Sequence, residues 1–178
     1  MLHTCASGAL HETLRRAAGY VVSEYYDRVP SGSVVNDISC QDLEHTTFAD
    51  GTFELIISED ILEHVADPGR ACRELRRILK PGGCHISTIA VYWDKGESVR
   101  RARQRDGRVE HLLEPVYHGD PNRSEGALVY VDFGADIVER YLSLTGPTEV
   151  LWSHQMGVDQ RKYAIYDNMV FVSRAPAT

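Results

Sequence analysis

The stretch that decides the fold is FELIISEDILEHVADPGRACRELRRILKPGGCHISTI, residues 53–89. FELIIS is apolar enough to be a strand buried on both faces, as in a parallel sheet. Pro68 then sits near the first turn of a helix, with Asp67 as its N-cap. Ala71, Leu75, Ile78 and Leu79 form an apolar stripe on that helix, and Arg73, Arg76 and Arg77 face away. KPGG stops the helix, and CHISTIAV reads as the next strand. Between strand and helix lies the acidic-histidine segment Ser58, Glu59, Asp60, Glu63, His64 and Asp67.

Working outward, Met1–Thr4 is a short strand followed by the loop CASG. ALHETLRRAA places Leu10, Leu14, Ala17 and Ala18 on one helical face, and Gly19 ends that helix. YVVSEYY is a β-rich segment, PSGS turns the chain, VVNDISCQD contains the next strand, and Asp50-Gly51 is a turn. Beyond residue 126, ADIVERYLSL reads as a helix, with TEVLWSH and NMVFVSR as the last strands. Strand–helix–strand repetition predicts an α/β fold, a mostly parallel sheet covered by helices, in a single domain over residues 1–178. From about 92 to 126 the pattern lapses into a charged, Gly- and Pro-containing insert too long for a plain connection.

The chain has 178 residues, 43% hydrophobic and 25% charged, which suits one soluble domain with a core. A net charge of -7 argues against general nucleic-acid binding. The basic cluster VRRARQRDGR (99–108) reads as a solvated helix or loop. Cys5, Cys40, Cys72 and Cys84 are spread without a CxxC pair, as expected of reduced thiols in a cytoplasmic protein. No apolar run reaches the roughly 18 residues of a membrane span, and no secretory signal is visible. The expected partner is therefore a small-molecule substrate, with no nucleic acid and no membrane.

Ligands of open parallel sheets bind beyond the carboxyl ends of the strands. Here those ends read TCASG, SEYY, QDLEH, SEDILEH and VYWDKG, four of the five carrying an acidic residue. That regularity suits a nucleoside-like ligand.

The block from about Phe53 to Ile89, with LEHV…DP…RELRRILKPGG, resembles the middle of a class I S-adenosylmethionine-dependent methyltransferase of the small-molecule type. The resemblance implies a Rossmann-like, mostly parallel seven-stranded sheet whose last two strands form an antiparallel hairpin, and S-adenosyl-L-methionine as cofactor. The family's GxGxG loop is replaced here by Thr4, Cys5, Ala6, Ser7 and Gly8, small residues that still let a backbone approach a ligand. By the resemblance, Thr4, Cys5, Ala6 and Gly8 line the cofactor, and Glu24, beside Tyr25, accepts the two ribose hydroxyls. Asp42 takes the adenine amino group, with the Leu43 N–H on the ring. Ser58, Glu59, Asp60 and His64 line the methionine end. The family usually carries a helix or more before its first strand, so the start at Met1 implies either a shortened chain or a lid from another segment, a second copy of the chain or a partner subunit.

In the insert, Tyr117-His118-Gly119-Asp120-Pro121 should fold over the strand ends, with His118 as a general base on the acceptor, since imidazole titrates near neutrality. Tyr92 and Trp93 suit either the positive sulfonium or the core. His64, four residues after Asp60, can share a helical face with it. Asp60 with His64, or with His118, would suit a metal. No second histidine stands at i+4, however, and the resemblance accounts for the cluster, so no metal is expected. Glu63 reads as an ordinary first-turn acid. Two alternatives stay open. One is a methyltransferase-like protein without methyl transfer, serving as a partner subunit or a binding or cyclisation module. The other is a nicotinamide-dependent reductase, against which stands the lack of GxGxxG.

Overall fold

The computed structural model describes residues 1–120, 122–157 and 168–177. Its strands are β1 Leu2–His3, β2 Val21–Glu24, β3 Val34–Val35, β4 Ile38–Cys40, β5 Phe53–Glu59, β6 Leu79–Thr88 and β7 Val99–Arg100. They continue with β8 Ala102–Arg105, β9 Arg108–His111, β10 Tyr117–Asp120, β11 Arg123–Leu128, β12 Val131–Asp132, β13 Thr148–Trp152 and β14 Met169–Arg174. The helices are α1 Gly8–Leu14, α2 Pro68–Ile78 and α3 Ile137–Arg140.

The main sheet has the order β13-β14-β6-β5-β1-β2-β4-β3. Its centre is parallel: β5 pairs with β6 and β1, β1 with β2, and β2 with β4. β14 runs antiparallel to both β6 and β13, as expected of the last two strands. The sheet has eight strands, not seven. The extra one arises at Asn36 and Asp37, whose φ values of 49° and 64° reverse the chain so that β3 lies antiparallel on β4. Two successive positive φ values suit a hairpin turn, and Asn-Asp tolerates them.

α2 follows the expected pattern. The Asp67 side chain accepts the Arg70 N–H at 3.0 Å, a cap that contributes about 1 kcal/mol. Ala71, Leu75, Ile78 and Leu79 are buried against Leu2, Ile56 and Phe171 in one core. KPGG does not separate helix from strand: β6 begins at Leu79, directly after α2. The irregularity is absorbed inside the strand, where the register shifts between the Phe53–Leu79 and Leu55–Cys84 pairs. Gly83 permits it, since a Cβ there would stand 3.0–3.1 Å from the carbonyl oxygens of Lys80, Glu54 and Phe53.

α1 is shorter than the expected 9–18 and buries none of its residues, Leu10 and Leu14 being only half-buried. A side-chain chain ties it down instead. The Tyr20 hydroxyl lies 2.9 Å from Nδ1 of His11 on α1 and 2.9 Å from Nδ1 of His3 on β1. His3 Nε2 reaches Glu59 at 2.9 Å. Donation from His11 to Tyr20 to His3 to Glu59 satisfies every link.

The expected irregular insert holds regular strand pairs. β8 pairs with β9 around Asp106-Gly107, both at positive φ, and β10 pairs with β11. β7 pairs with β12. The basic cluster is therefore a β-ribbon, and its arginines fasten it. Arg100 donates to the Ala66 carbonyl, Arg101 to Asp132, and Arg103 to Glu110 directly across the ribbon. The helix expected at 135–144 is one turn of α3 and a 3₁₀ turn over Leu142–Leu144. No helix among the described residues is long and apolar enough to cross a membrane.

His85 is wholly buried on β6, with Nε2 2.8 Å from the Ser58 hydroxyl and no partner for Nδ1 among the described residues. Burial holds it neutral by lowering its pKa from 6.5 to about 4. The unfolded chain therefore takes the proton first as pH falls. The contribution of His85 to stability is complete above pH 6.5 and declines by about 3 kcal/mol as pH falls toward 4. His85→Gln, which keeps a polar partner for Ser58 but does not titrate, should flatten the denaturant-midpoint profile between pH 4 and 6.5. An unchanged slope would remove His85 from the account.

Candidate active site

The carboxyl ends of β1, β2, β4 and β5 lie side by side, and the strand order reverses between β1 and β5. The loop after β1 leaves there, with the Thr4 N–H still on the Ile57 carbonyl of β5 at 3.0 Å. Its next residues are Cys5, Ala6, Ser7 and Gly8, the last at φ 84° with open space where a Cβ would stand. Cys5 keeps its thiol local, 3.6 Å from the Ser7 carbonyl.

Glu24 ends β2. One carboxylate oxygen accepts the Ala6 N–H and the other the Tyr25 N–H, each at 3.2 Å. Burial raises its pKa, the two N–H groups oppose the rise, Asp120 adds to it and the Asn122 side chain counters. The carboxylate is thus oriented by two backbone N–H groups, with Asn122 also facing it, and a carboxylate's roughly four acceptor sites exceed these partners. Beside it a polar cleft of about 330 Å³ is lined by Tyr25, Tyr26 and Asp27 on one side and Asn122–Glu125 on the other. Arg123 stands over the Tyr25 ring and within 3.3 Å of Asp27 and 3.4 Å of Asp120.

After β4, Asp42 accepts the Glu44 N–H at 2.9 Å in an Asx turn, and Leu43 is buried in the core. At the end of β5, the Ser58 hydroxyl is committed to His85, and Glu59 to His3. Asp60 takes φ 50° while its N–H bonds to the Thr88 carbonyl of β6 at 3.0 Å. The left-handed residue breaks any helix before Leu62–His64, which is a 3₁₀ turn. Asp60 and His64 consequently share no helical face.

That turn drives Glu63 inward. Glu63 is 1% exposed, and neither carboxylate oxygen has a hydrogen-bond partner among the described residues. Burial pushes its pKa up to about 7; its own N–H and that of Ala90 oppose the rise from outside hydrogen-bonding geometry, and Asp60 adds to it. His64 donates from Nδ1 to the Leu128 carbonyl on β11 at 2.9 Å, and its ring meets His118 of β10 edge to face at 5.0 Å. Burial chiefly lowers the His64 pKa. Glu63, His64 and His118 each offer a donor atom within 4.8 Å of the others, so they form a set that can hold a metal.

Two groupings therefore emerge. Thr4, Cys5, Ala6, Gly8, Glu24 and Tyr25 gather at the β1–β2 tips, while His64 belongs with Glu63 and His118 under the insert. Tyr92 and Trp93 are engaged by the protein. Lys95 stands 4.1 Å over the Tyr92 ring, and Trp93 stacks on Phe171 and donates to the Met169 sulfur. Pro121 of the expected tip lies outside the described residues. Glu63 reads from sequence as an ordinary first-turn acid, which its burial corrects, and buried His3 and Arg123 are not singled out there. For Glu63, an acid directly after a strand end gives no sign of its direction until the φ of Asp60 is known.

Residues 4–87 match the family described as Methyltransferase domain. An uncharacterized methyltransferase of Mycobacterium sp. (strain KMS) is 38% identical over 45 residues, which is 25% of this chain and 18% of that protein. The matched stretch thus spans under a fifth of that relative. Among solved structures, an S-adenosylmethionine-dependent methyltransferase from Mesorhizobium loti aligns with TM-score 0.58 and 14% identity, covering 97% of this chain and 89% of that one. The [4+2]-cyclase SpnF aligns with TM-score 0.55 and 19% identity, covering 99% and 75%. At these identities the likeness is one of fold.

The insert geometry turns on Gly126, at φ 85°, where an added Cβ would stand 2.2 Å from the His118 carbonyl oxygen. Gly126→Ala should push β10 off β11 and separate the His118 and His64 rings, with a loss of roughly 1–3 kcal/mol. Gly119→Ala, with nothing within 4 Å of its Cβ, should be tolerated. Thermal melts and the two imidazole resonances would check this; equal behaviour of the two variants would refute it.

Proposed function

We propose, for a chain that carries a class I S-adenosylmethionine-dependent methyltransferase domain, that it transfers a methyl group from S-adenosyl-L-methionine to a small-molecule acceptor. The observation that carries this reading is Glu24 at the β2 tip, whose two oxygens are oriented by the Ala6 and Tyr25 N–H groups. A carboxylate so held suits the vicinal hydroxyls of a ribose, because it can accept from both at once. The residues fit the cofactor in kind. Small residues at 4–8 allow close backbone approach, Asp42 and Leu43 follow the next parallel strand, and Glu59 and Asp60 lie at the β5 tip toward the methionine end.

The bound cofactor supplies an already activated methyl group. The chain's task is to align the acceptor and exclude water. The β10–β11 hairpin stands over the strand tips and brings His118, the proposed base for the acceptor's proton. The 330 Å³ cleft beside Tyr25 is at the small-molecule scale. A methyltransferase-like role without transfer gains support from one observation: Arg123 already covers the Tyr25 ring and pairs with Asp27 and Asp120 at the cleft.

S-adenosylhomocysteine at about 100 times its Kd should stabilise the chain by about 2.7 kcal/mol, a rise in Tm of roughly 5–10 °C. NAD(H) should give no rise. Glu24→Ala should weaken S-adenosylhomocysteine by about 10- to 100-fold through loss of charge-assisted hydrogen bonds. The absence of any shift with S-adenosylhomocysteine would end this reading. Binding without turnover across a panel of oxygen, nitrogen and carbon acceptors would favour the non-transferring role.

A further inference from the structure

We infer that Glu63, His64 and His118 form a binding site for one divalent transition-metal ion. Three separate observations converge on it. First, Glu63 is a carboxylate 1% exposed with neither oxygen bonded among the described residues. A buried, unpartnered carboxylate is costly when charged, so it takes up either a proton or a cation, and two imidazoles stand beside this one to complete a cation's ligand set. Second, His118 comes from an element 54 residues further along the chain than His64, so its arrival beside the Glu63-His64 pair is a product of tertiary packing and not of local sequence. Third, His64 is already oriented as a ligand. Its Nδ1–H is donated to the Leu128 carbonyl, which leaves Nε2 with a free lone pair. Metal-bound histidines are typically fixed in this way through their other ring nitrogen.

The dimensions are compatible. Donor atoms lie within 4.8 Å of one another. Bonds of about 2.1 Å to one ion put ligands roughly 3.0–3.4 Å apart, so the three side chains close by at most about 1.5–2 Å on binding. The two histidines are half-buried, which leaves the ion an entry on their side and open positions for water or substrate. Two imidazoles and a carboxylate favour zinc, iron, manganese or cobalt over magnesium or calcium, which take all-oxygen sets. The surrounding charge is acidic on balance: Asp60 acts on Glu63, Asp120 acts on His64, and Arg123, the facing cation, is itself paired with Asp27 and Asp120.

The site's catalytic relevance rests on the methyltransferase reading; its metal binding does not. Within that reading it changes one role. His118 would then be a ligand in place of a base, and an acceptor oxygen or nitrogen on the open face, its pKa lowered by the ion, would release its proton to solvent water on that side.

The test uses the full chain, freed of metal by chelator and then dialysed. Zn²⁺ is titrated by calorimetry, and Co²⁺ is followed through its visible d–d absorption. One equivalent should bind, with a Co²⁺ spectrum of low symmetry. Glu63→Gln, His64→Ala and His118→Ala should each weaken Zn²⁺ by about 100-fold or more, while His111→Ala on the exposed edge of β9 should not. Glu63→Gln is nearly isosteric and removes a buried charge, so it should fold, as circular dichroism would verify. Unchanged Zn²⁺ affinity in folded Glu63→Gln, or no saturable binding by the parent chain, would overturn the inference. S-adenosylhomocysteine binding is measured in chelator alongside. Its presence without metal binding would sink only the metal site, and metal binding without it would sink only the methyltransferase reading.

Discussion

The site depends on one backbone constraint, the left-handed conformation of Asp60 where β5 ends. Its N–H keeps the ladder to β6 through the Thr88 carbonyl, so the strand stays paired to its tip while the chain behind it turns. Aspartate is among the residues that enter this region at modest cost. Without the turn, Leu62–His64 would extend a helix and Glu63 would face water. With it, Glu63 enters the interior and His64 meets the insert. The insert in turn is latched to this segment: the Tyr130 N–H donates to the Glu63 carbonyl at 2.8 Å, and the Leu128 carbonyl receives His64. Sheet tip and cover are thereby one assembly.

Periodicity made the central sheet readable because both-face burial leaves few ways to arrange FELIIS, its capped helix and the following strand. Asp67, Pro68 and the Ala71–Leu79 stripe carry their own physics, and each lies where its chemistry requires. The hairpins were less legible, although their turns were present as Asn36-Asp37 and Asp106-Gly107. In the first, two short runs merge into one apparent strand. In the second, a run of arginines masks alternation with the solvent face. At the candidate site, the strand tips and their acids were readable, since they follow from topology. The Glu63–His64–His118 grouping was not, since it joins a turn to a hairpin through tertiary packing alone.

The loop after β1 has short side chains, and a single glycine, where the proposed cofactor would approach the backbone. Thr4, Ala6 and Ser7 have short side chains, and the Ala6 N–H serves to orient Glu24. α1 beyond it buries nothing, so it gains little from the hydrophobic effect. Its anchor is the hydrogen-bonded sequence from His11 through Tyr20 and His3 to Glu59. The same Glu59 stands at the β5 tip, so the start of the chain and the proposed methionine end share one carboxylate.

Charge placement narrows what such a site can accept. Arg100 and Arg101 are spent inside the molecule, on Ala66, Asp132 and Glu114, and Arg103 is paired with Glu110 on the surface, which leaves Arg105 and Arg108 as the open charges of the basic stretch. The strand tips instead present Glu24, Asp42, Glu59 and Asp60, with Arg123 as the cation set against them and already held by two carboxylates. A field of that sign disfavours phosphate and favours cations. A sulfonium cofactor and a divalent ion are both cations, and they would draw on different carboxylates: Glu24 and Glu59 at the sheet tips, and Glu63 beneath the insert. The separation matters energetically, because two cations competing for one carboxylate would exclude each other, whereas here each proposed ligand has an acid of its own.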